Sequence, residues 1–204
     1  MPLHLTGHID LPAHTGSGGF DHAAVHAATG HVYVAHTAND AVDVFDPAAG
    51  RHLHSIPDLT AVAGALVSDE SQLVFTSNRG ENTIGVFAPG PHPEVDKIAV
   101  GVRPNGLAYD ARRRLVLAAN VGDPAIAHSF TLSMVDLDAR AMRCAIEVPG
   151  RTRWTVFDEE SRLFYVNIMN PAVIAVVDAG KPDTLAYMWA VPAAGPHGLD
   201  FDPA

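Results

Sequence analysis

Short runs of alternating apolar and polar residues recur along the whole chain, divided by Gly, Pro, Asp and Asn. Four of them align directly. Val32-Tyr33-Val34-Ala35-His36 matches Leu73-Val74-Phe75-Thr76-Ser77, Leu115-Val116-Leu117-Ala118-Ala119 and Leu163-Phe164-Tyr165-Val166-Asn167, at steps of 41, 42 and 48 residues. A run ending near a polar turn precedes each one, as in Ala65-Leu66-Val67 before Asp69-Glu70-Ser71. An alternating run follows each: Val42-Asp43-Val44, Ile84-Gly85-Val86, Leu132-Ser133-Met134 and Ile174-Ala175-Val176. A last run closes each unit near Ile56, Val100, Val148 and Val191. The period of two and the β-branched and aromatic content predict strands, and no segment holds a 3.6-residue period for three turns.

Four short strands repeating about every 40–45 residues predict the blade of a β-propeller. The expected class is therefore all-β: a propeller of four-stranded antiparallel blades, about four of them complete. Their expected bounds are 19–57, 61–101, 103–149 and 152–192. Stacking explains the repeat, because a single sheet has two faces to cover and neighbouring blades cover both. The longer step of 48 places an insertion in the third blade, within 122–129, and insertions in repeat proteins collect on one face, often the binding face. At the ends, 3–12 reads as an outermost strand without a blade, and 196–204 as the first strand of a fifth blade. The expectation from these ends is a native chain that continues past Ala204. Four blades alone would present open apolar faces and self-associate.

The repeats resemble the YVTN-repeat, or YncE-like, family of β-propellers. The resemblance rests on Val-Tyr-Val-Ala at 32–35 and its copies, on Arg103-Pro104-Asn105-Gly106-Leu107-Ala108-Tyr109-Asp110, and on Gly19-Phe20-Asp21-His22. It implies a ring that is usually seven-bladed, of which this chain would be an incomplete part. It also implies ligand or nucleic-acid binding on one face in some members, and frequent export. It carries mainly a fold.

Composition narrows the partners. A formal net charge of −10 disfavours general nucleic-acid binding, and the run Arg112-Arg113-Arg114 falls in a predicted hairpin turn where it is solvated. The single cysteine, Cys144, excludes an intramolecular disulfide framework and reads as a packing residue. The start MPLHLTGHIDLP has no basic region followed by an apolar run. No stretch of about 18 consecutive apolar residues exists to span a membrane. The chain as written is thus expected to be soluble and cytoplasmic, or exported if its true start lies upstream.

Residues just before the innermost strands of a propeller line the mouth of the central channel. By the alignment these are Asp21-His22, Ala63-Gly64, Asn105-Gly106, Arg153-Trp154 and His197-Gly198. The loops after the second strands open on the same face and bring Asn78, Arg79, Asn120 and Asp123. The candidate ligand-binding residues are Asp21, Asn105, Arg153, Trp154, His197, Asn78 and Asn120. Arg153 would hold a carboxylate or phosphate through paired donors, His197 would titrate near neutral pH, and Trp154 is either a stacking platform or a plug in the channel. Of the 12 histidines, His52 and His54 would share a strand face, a weak two-ligand metal set.

No nucleophile elbow, Walker loop or His-Glu-x-x-His motif is present, and no helix follows Gly16-Ser17-Gly18-Gly19. The leading reading is a non-enzymatic binding scaffold with no cofactor, holding a small molecule or a protein partner. The alternative is a propeller lactonase with one divalent cation on Asp21 and Asn105, since Arg103-Pro104-Asn105-Gly106-Leu107-Ala108 resembles a ligand segment of such enzymes. Ala63 and Arg153 at the equivalent places argue against it.

Overall fold

The computed structural model describes residues 2–202. They form four antiparallel sheets of four strands, each strand paired with its neighbour in sequence. The first blade comprises β1 (Phe20–His26), β2 (His31–His36), β3 (Ala41–Asp46) and β4 (Arg51–Ile56). The second comprises β5 (Val62–Ser68), β6 (Leu73–Asn78), β7 (Thr83–Phe87) and β8 (Asp96–Ala99). The third comprises β9 (Pro104–Asp110), β10 (Leu115–Asn120), β11 (Thr131–Asp136) and β12 (Ala141–Glu147). The fourth comprises β13 (Thr152–Asp158), β14 (Leu163–Ile168), β15 (Val173–Asp178) and β16 (Tyr187–Ala190). This is the expected β-propeller architecture of stacked four-stranded blades. No helix among the described residues is long and apolar enough to cross a membrane.

The structure corrects the alignment of the first repeat by one residue. The second strands begin at His31, Leu73, Leu115 and Leu163, 42, 42 and 48 residues apart. Gly30, Gln72, Arg114 and Arg162 immediately precede them, and all four have positive φ. The tight turn that feeds each second strand thus fixes the register. In a strand a one-residue slip would turn every side chain to the opposite face. With the corrected step, Tyr33, Phe75 and Leu117 become equivalent, and each packs toward the following blade.

Three separate cores lie between consecutive blades. Tyr33, Val42 and Val44 meet Val62, Val74 and Phe87 between the first two. Phe75 and Ile84 meet Leu107, Val116 and Val135 between the second and third. Leu117, Leu132 and Met134 meet Phe164, Val166 and Val177 between the third and fourth. The first strands β1, β5, β9 and β13 lie side by side along the inner edge. Tyr165, the fourth blade's equivalent of Tyr33, meets instead its own sheet neighbour Trp189, at 5.7 Å between ring centroids, and Trp189 and Tyr187 are exposed.

The terminal segments depart from expectation. Residues 3–12 form no strand, and Leu3 and Leu5 are exposed. A strand needs a sheet edge to pair with, and the fourth strand of every blade is left unpaired on its outer side. The chain just after this segment is pinned elsewhere: Asn39 Nδ2 donates to the Ala13 carbonyl, and Thr15 N donates to Asn39 Oδ1. Residues 196–202 also form no strand, while 203–204 lie outside the described residues. The carbonyl of His197 nevertheless accepts from Trp154 N and Asn167 Nδ2. The Asn105 carbonyl accepts from Ser77 Oγ in the same way between the second and third blades, so this segment sits where a following first strand would begin.

His52 and His54 do not share a face. A bulge between Val44 and Phe45 pairs His54 with Val44 and His52 with Phe45. The extra residue turns His52 toward Ser55 and Asp43, whereas His54 lies against the Gly90 backbone of the second blade.

Candidate functional site

The first strands of the first, second and fourth blades carry a bulge at their start, between Phe20 and Ala23, Val62 and Gly64, and Thr152 and Thr155. The third blade has its irregularity at the same end, opposite Asn120. Bulges re-aim side chains, and these put the expected mouth residues at the inner end of each blade. Backbones crowd there. A methyl group on Gly64 would lie 2.4 Å from the Asn105 carbonyl, and one on Gly106 would lie 2.7 Å from the Arg153 carbonyl.

The outer two blades carry rings at that equivalent place. His22 and Trp154 stack at 3.9 Å between centroids with planes 32° apart, joining the first blade to the fourth. One face of Trp154 is thus taken up by His22. The carbonyl of His197 anchors the backbone of Trp154, while the His197 side chain is exposed.

Arg79 organises the mouth. It follows β6, and its Nη2 donates to Asn105 Oδ1 at 2.5 Å and to Asp21 Oδ2 at 3.3 Å. Asp21 Oδ1 lies 3.3 Å from His22 Nε2. Three blades are thereby tied through one guanidinium. The sequence places Arg79 on this face but not among the candidate ligand-binding residues. Its signal was available: the residues following the second strands are Thr37, Arg79, Val121 and Met169, and only one is charged.

Arg153 stands apart from this chain of contacts. Its Nη2 donates to the Met169 sulfur at 2.9 Å, and its Nε is buried without a hydrogen-bond partner among the described residues. Burial, then repulsion from Arg151 and Arg79, pushes its pKa below the ordinary arginine value. Burial likewise lowers that of Arg79, with Asp21 opposing and Arg103 and Arg151 adding to the fall.

Asn78 and Asn120 do not join the mouth. Both are fully buried and serve the blades. Asn78 donates to Thr83 Oγ1 and accepts from Thr76 Oγ1, and Asn120 donates to Thr131 and Ser133 hydroxyls. The last residue of a second strand points into the space between blades, so its polar groups pair with the third strand.

Asp21 and Asn105 converge as the cation reading required, but the point of convergence holds the Arg79 guanidinium. That donor set does not fit a divalent cation, because the cation would meet a fixed positive charge. Among the described residues no three His, Cys, Asp or Glu side chains are grouped as a metal site.

The His22 pKa is lowered, chiefly by burial and against the pull of Asp21, with His197 and Arg79 adding to the fall. Burial also lowers that of His54. A histidine depressed in the folded state binds its proton more readily when unfolded, so stability rises with pH across this window. We expect stability to be full above pH 6.5 and to fall as pH drops through 6.5 toward the folded values. His22→Gln would flatten that fall. Urea midpoints between pH 8 and 5 measure it, and an unchanged slope would refute the role of His22.

No family model and no curated protein matches this chain. Among solved structures it is similar to Kuenenia stuttgartiensis hydrazine synthase, with a TM-score of 0.69 and 10% identity over 80% of this chain and 47% of that one. The chain thus spans about half the length of that structure. At this identity the likeness carries the fold alone. The class is that of stacked-blade β-propeller proteins.

Proposed function

We propose that the chain is a non-enzymatic propeller scaffold that binds a small molecule or partner protein on its channel-mouth face. One observation carries this reading. Asp21, Arg79, Asn105 and the His22–Trp154 stack come from four different blades and converge at one end of the inner strands. Polar groups and a ring gathered from several segments are what a small-ligand site requires. The loop after β6 and the bulged strand starts, which carry these groups, all open on that face. The reading agrees with the YVTN-repeat resemblance, which implies binding on one face. The cation-dependent hydrolase is not favoured, because Arg79 takes up both of its candidate ligands.

A thermal-shift screen of metabolites and peptides, followed by calorimetry on the hits, tests it. Asn105→Ala and Trp154→Ala should each weaken a mouth ligand by about tenfold or more, the effect of losing a central contact. Hits whose affinity neither substitution changes would place binding elsewhere.

A further inference from the structure

Four of the chain's 13 Lys and Arg residues, Arg79, Arg103, Arg151 and Arg153, gather at the mouth of a protein whose net charge is −10. Among the described residues, Asp21 is the only carboxylate paired with any of them, and it pairs with Arg79. Among the described residues, neither Arg103, Arg151 nor Arg153 makes an ion pair, although the acidic chain pairs Arg113, Arg114 and Arg140. Arg153 is the sharpest case. It is half-buried, its Nε has no partner among the described residues, and its Nη2 is spent on a thioether, a weak acceptor for a guanidinium. The Arg79 Nε is also buried and has no partner among the described residues. The close approach of Gly106 to the Arg153 carbonyl sets Arg153 beside Asn105, the residue that holds Arg79. Like charges held together with unused donors store repulsion that a bound anion would relieve.

Open grooves adjoin Arg79 and the His22–Trp154 stack, and neither is lined by Arg151 or Arg153. An open groove of about 470 Å³ is lined by Arg79, Arg103 and Asp123 among others. Another of about 440 Å³ is lined by His22, Trp154, Leu199 and Asp200. The two acids, Asp123 and Asp200, sit at the flanks and limit how far an anion can extend.

We propose that the mouth is a receptor for a compact polyanion whose clustered oxygens accept from Arg79, Arg151 and Arg153. This inference rests on the channel mouth being the binding face. A phosphate group and a polycarboxylate share this chemistry, since each presents paired oxygens to guanidinium forks. Recognition comes from fixed donors, and the local positive field within an acidic protein steers the anion to this end.

Calorimetric titration with inorganic phosphate and, separately, with citrate tests it, against sodium chloride at equal ionic strength. The expected result is saturable one-site binding of at least one of them. Phosphate alone would identify a phosphate-bearing ligand, and citrate alone a carboxylate-bearing one. Arg153→Ala and Arg151→Ala should each weaken that binding about tenfold or more, while Arg112→Ala in the distant hairpin turn leaves it unchanged. Arg153→Lys, which keeps the charge but loses the fork, should weaken it less than Arg153→Ala, and circular dichroism verifies that each variant is folded. No binding of either anion above chloride, or binding indifferent to folded Arg151 and Arg153 variants, overturns the inference. A neutral ligand that depends on Trp154 while neither anion binds would overturn it too, yet leave the mouth standing as the binding face.

Discussion

Gly64→Ala should destabilise the protein by about 3 kcal/mol or more, the upper end of overpacking plus a disturbed buried hydrogen bond. The reason is local and rigid. The added methyl would lie 2.4 Å from the Asn105 carbonyl and 2.6 Å from Ser77 Oγ. Neither neighbour can swing away. The carbonyl is backbone of the next blade, and Ser77 Oγ accepts from Gly64 N while donating to that same carbonyl. Relief therefore requires the second and third blades to part, which opens the core around Phe75 and Leu107. It also moves Asn105, whose side chain holds Arg79. The same substitution should thus loosen the mouth, and a mouth ligand should bind Gly64→Ala more weakly even at temperatures where the protein remains folded. Gly7→Ala is the control, because nothing lies within 4 Å of its added methyl. Urea denaturation reads both variants, with the slope held constant between them. A loss below about 0.5 kcal/mol, the range of an ordinary surface change, would mean that the inner strands are not packed as described.

The blades were legible because successive side chains of a strand point to opposite faces of its sheet, and stacked sheets bury those faces. The first repeat was misread by one residue because β2 opens on His31, and similarity of apolar letters favours Val32 as the match for Leu73. What sets the true register is backbone conformation at Gly30, Gln72, Arg114 and Arg162, four positions of three residue types that share a positive φ. The mouth positions were legible as offsets from the strands. Their contacts were not, because Arg79 meets Asp21 across 58 residues and His22 meets Trp154 only through the curvature of the stacked blades. Asn78 and Asn120 were misplaced for a related reason. Ending a strand near the mouth does not decide which way the side chain points, and alternation turns both into the blade interface. The segment 3–12 failed as a strand because the chain just after it is held by Asn39, between β2 and β3, rather than along the open edge of a fourth strand.

The same alternation buries a hydrogen-bonded His36–Asp43 pair in the first blade, and its removal is the other large effect. His36 Nδ1 lies 2.7 Å from Asp43 Oδ2, Ser55 Oγ donates to Asp43 Oδ1 at 2.6 Å, and both His36 and Asp43 are fully buried. The rings of Phe20 and His14 cover His36. In the third blade the equivalent places hold neutral groups, with Asn120 Nδ2 donating to Ser133 Oγ at 2.9 Å. Asp43→Ala leaves the imidazole and the Ser55 hydroxyl without their acceptor, and each buried polar group orphaned in this way costs about 1–3 kcal/mol. That figure measures the orphaned partners rather than the worth of the pair. Replacing both members, as His36→Asn with Asp43→Ser, installs the third blade's neutral solution in the first. Most of the loss should then be recovered, with a residue of about 1–2 kcal/mol for the smaller volume against Phe20 and His14. The single and double variants in urea, compared as a cycle with His36→Asn, separate the two contributions. A double variant as unstable as Asp43→Ala would show that the first blade needs this carboxylate for something its neutral counterpart cannot supply, and the equivalence of the blades would end at their backbones.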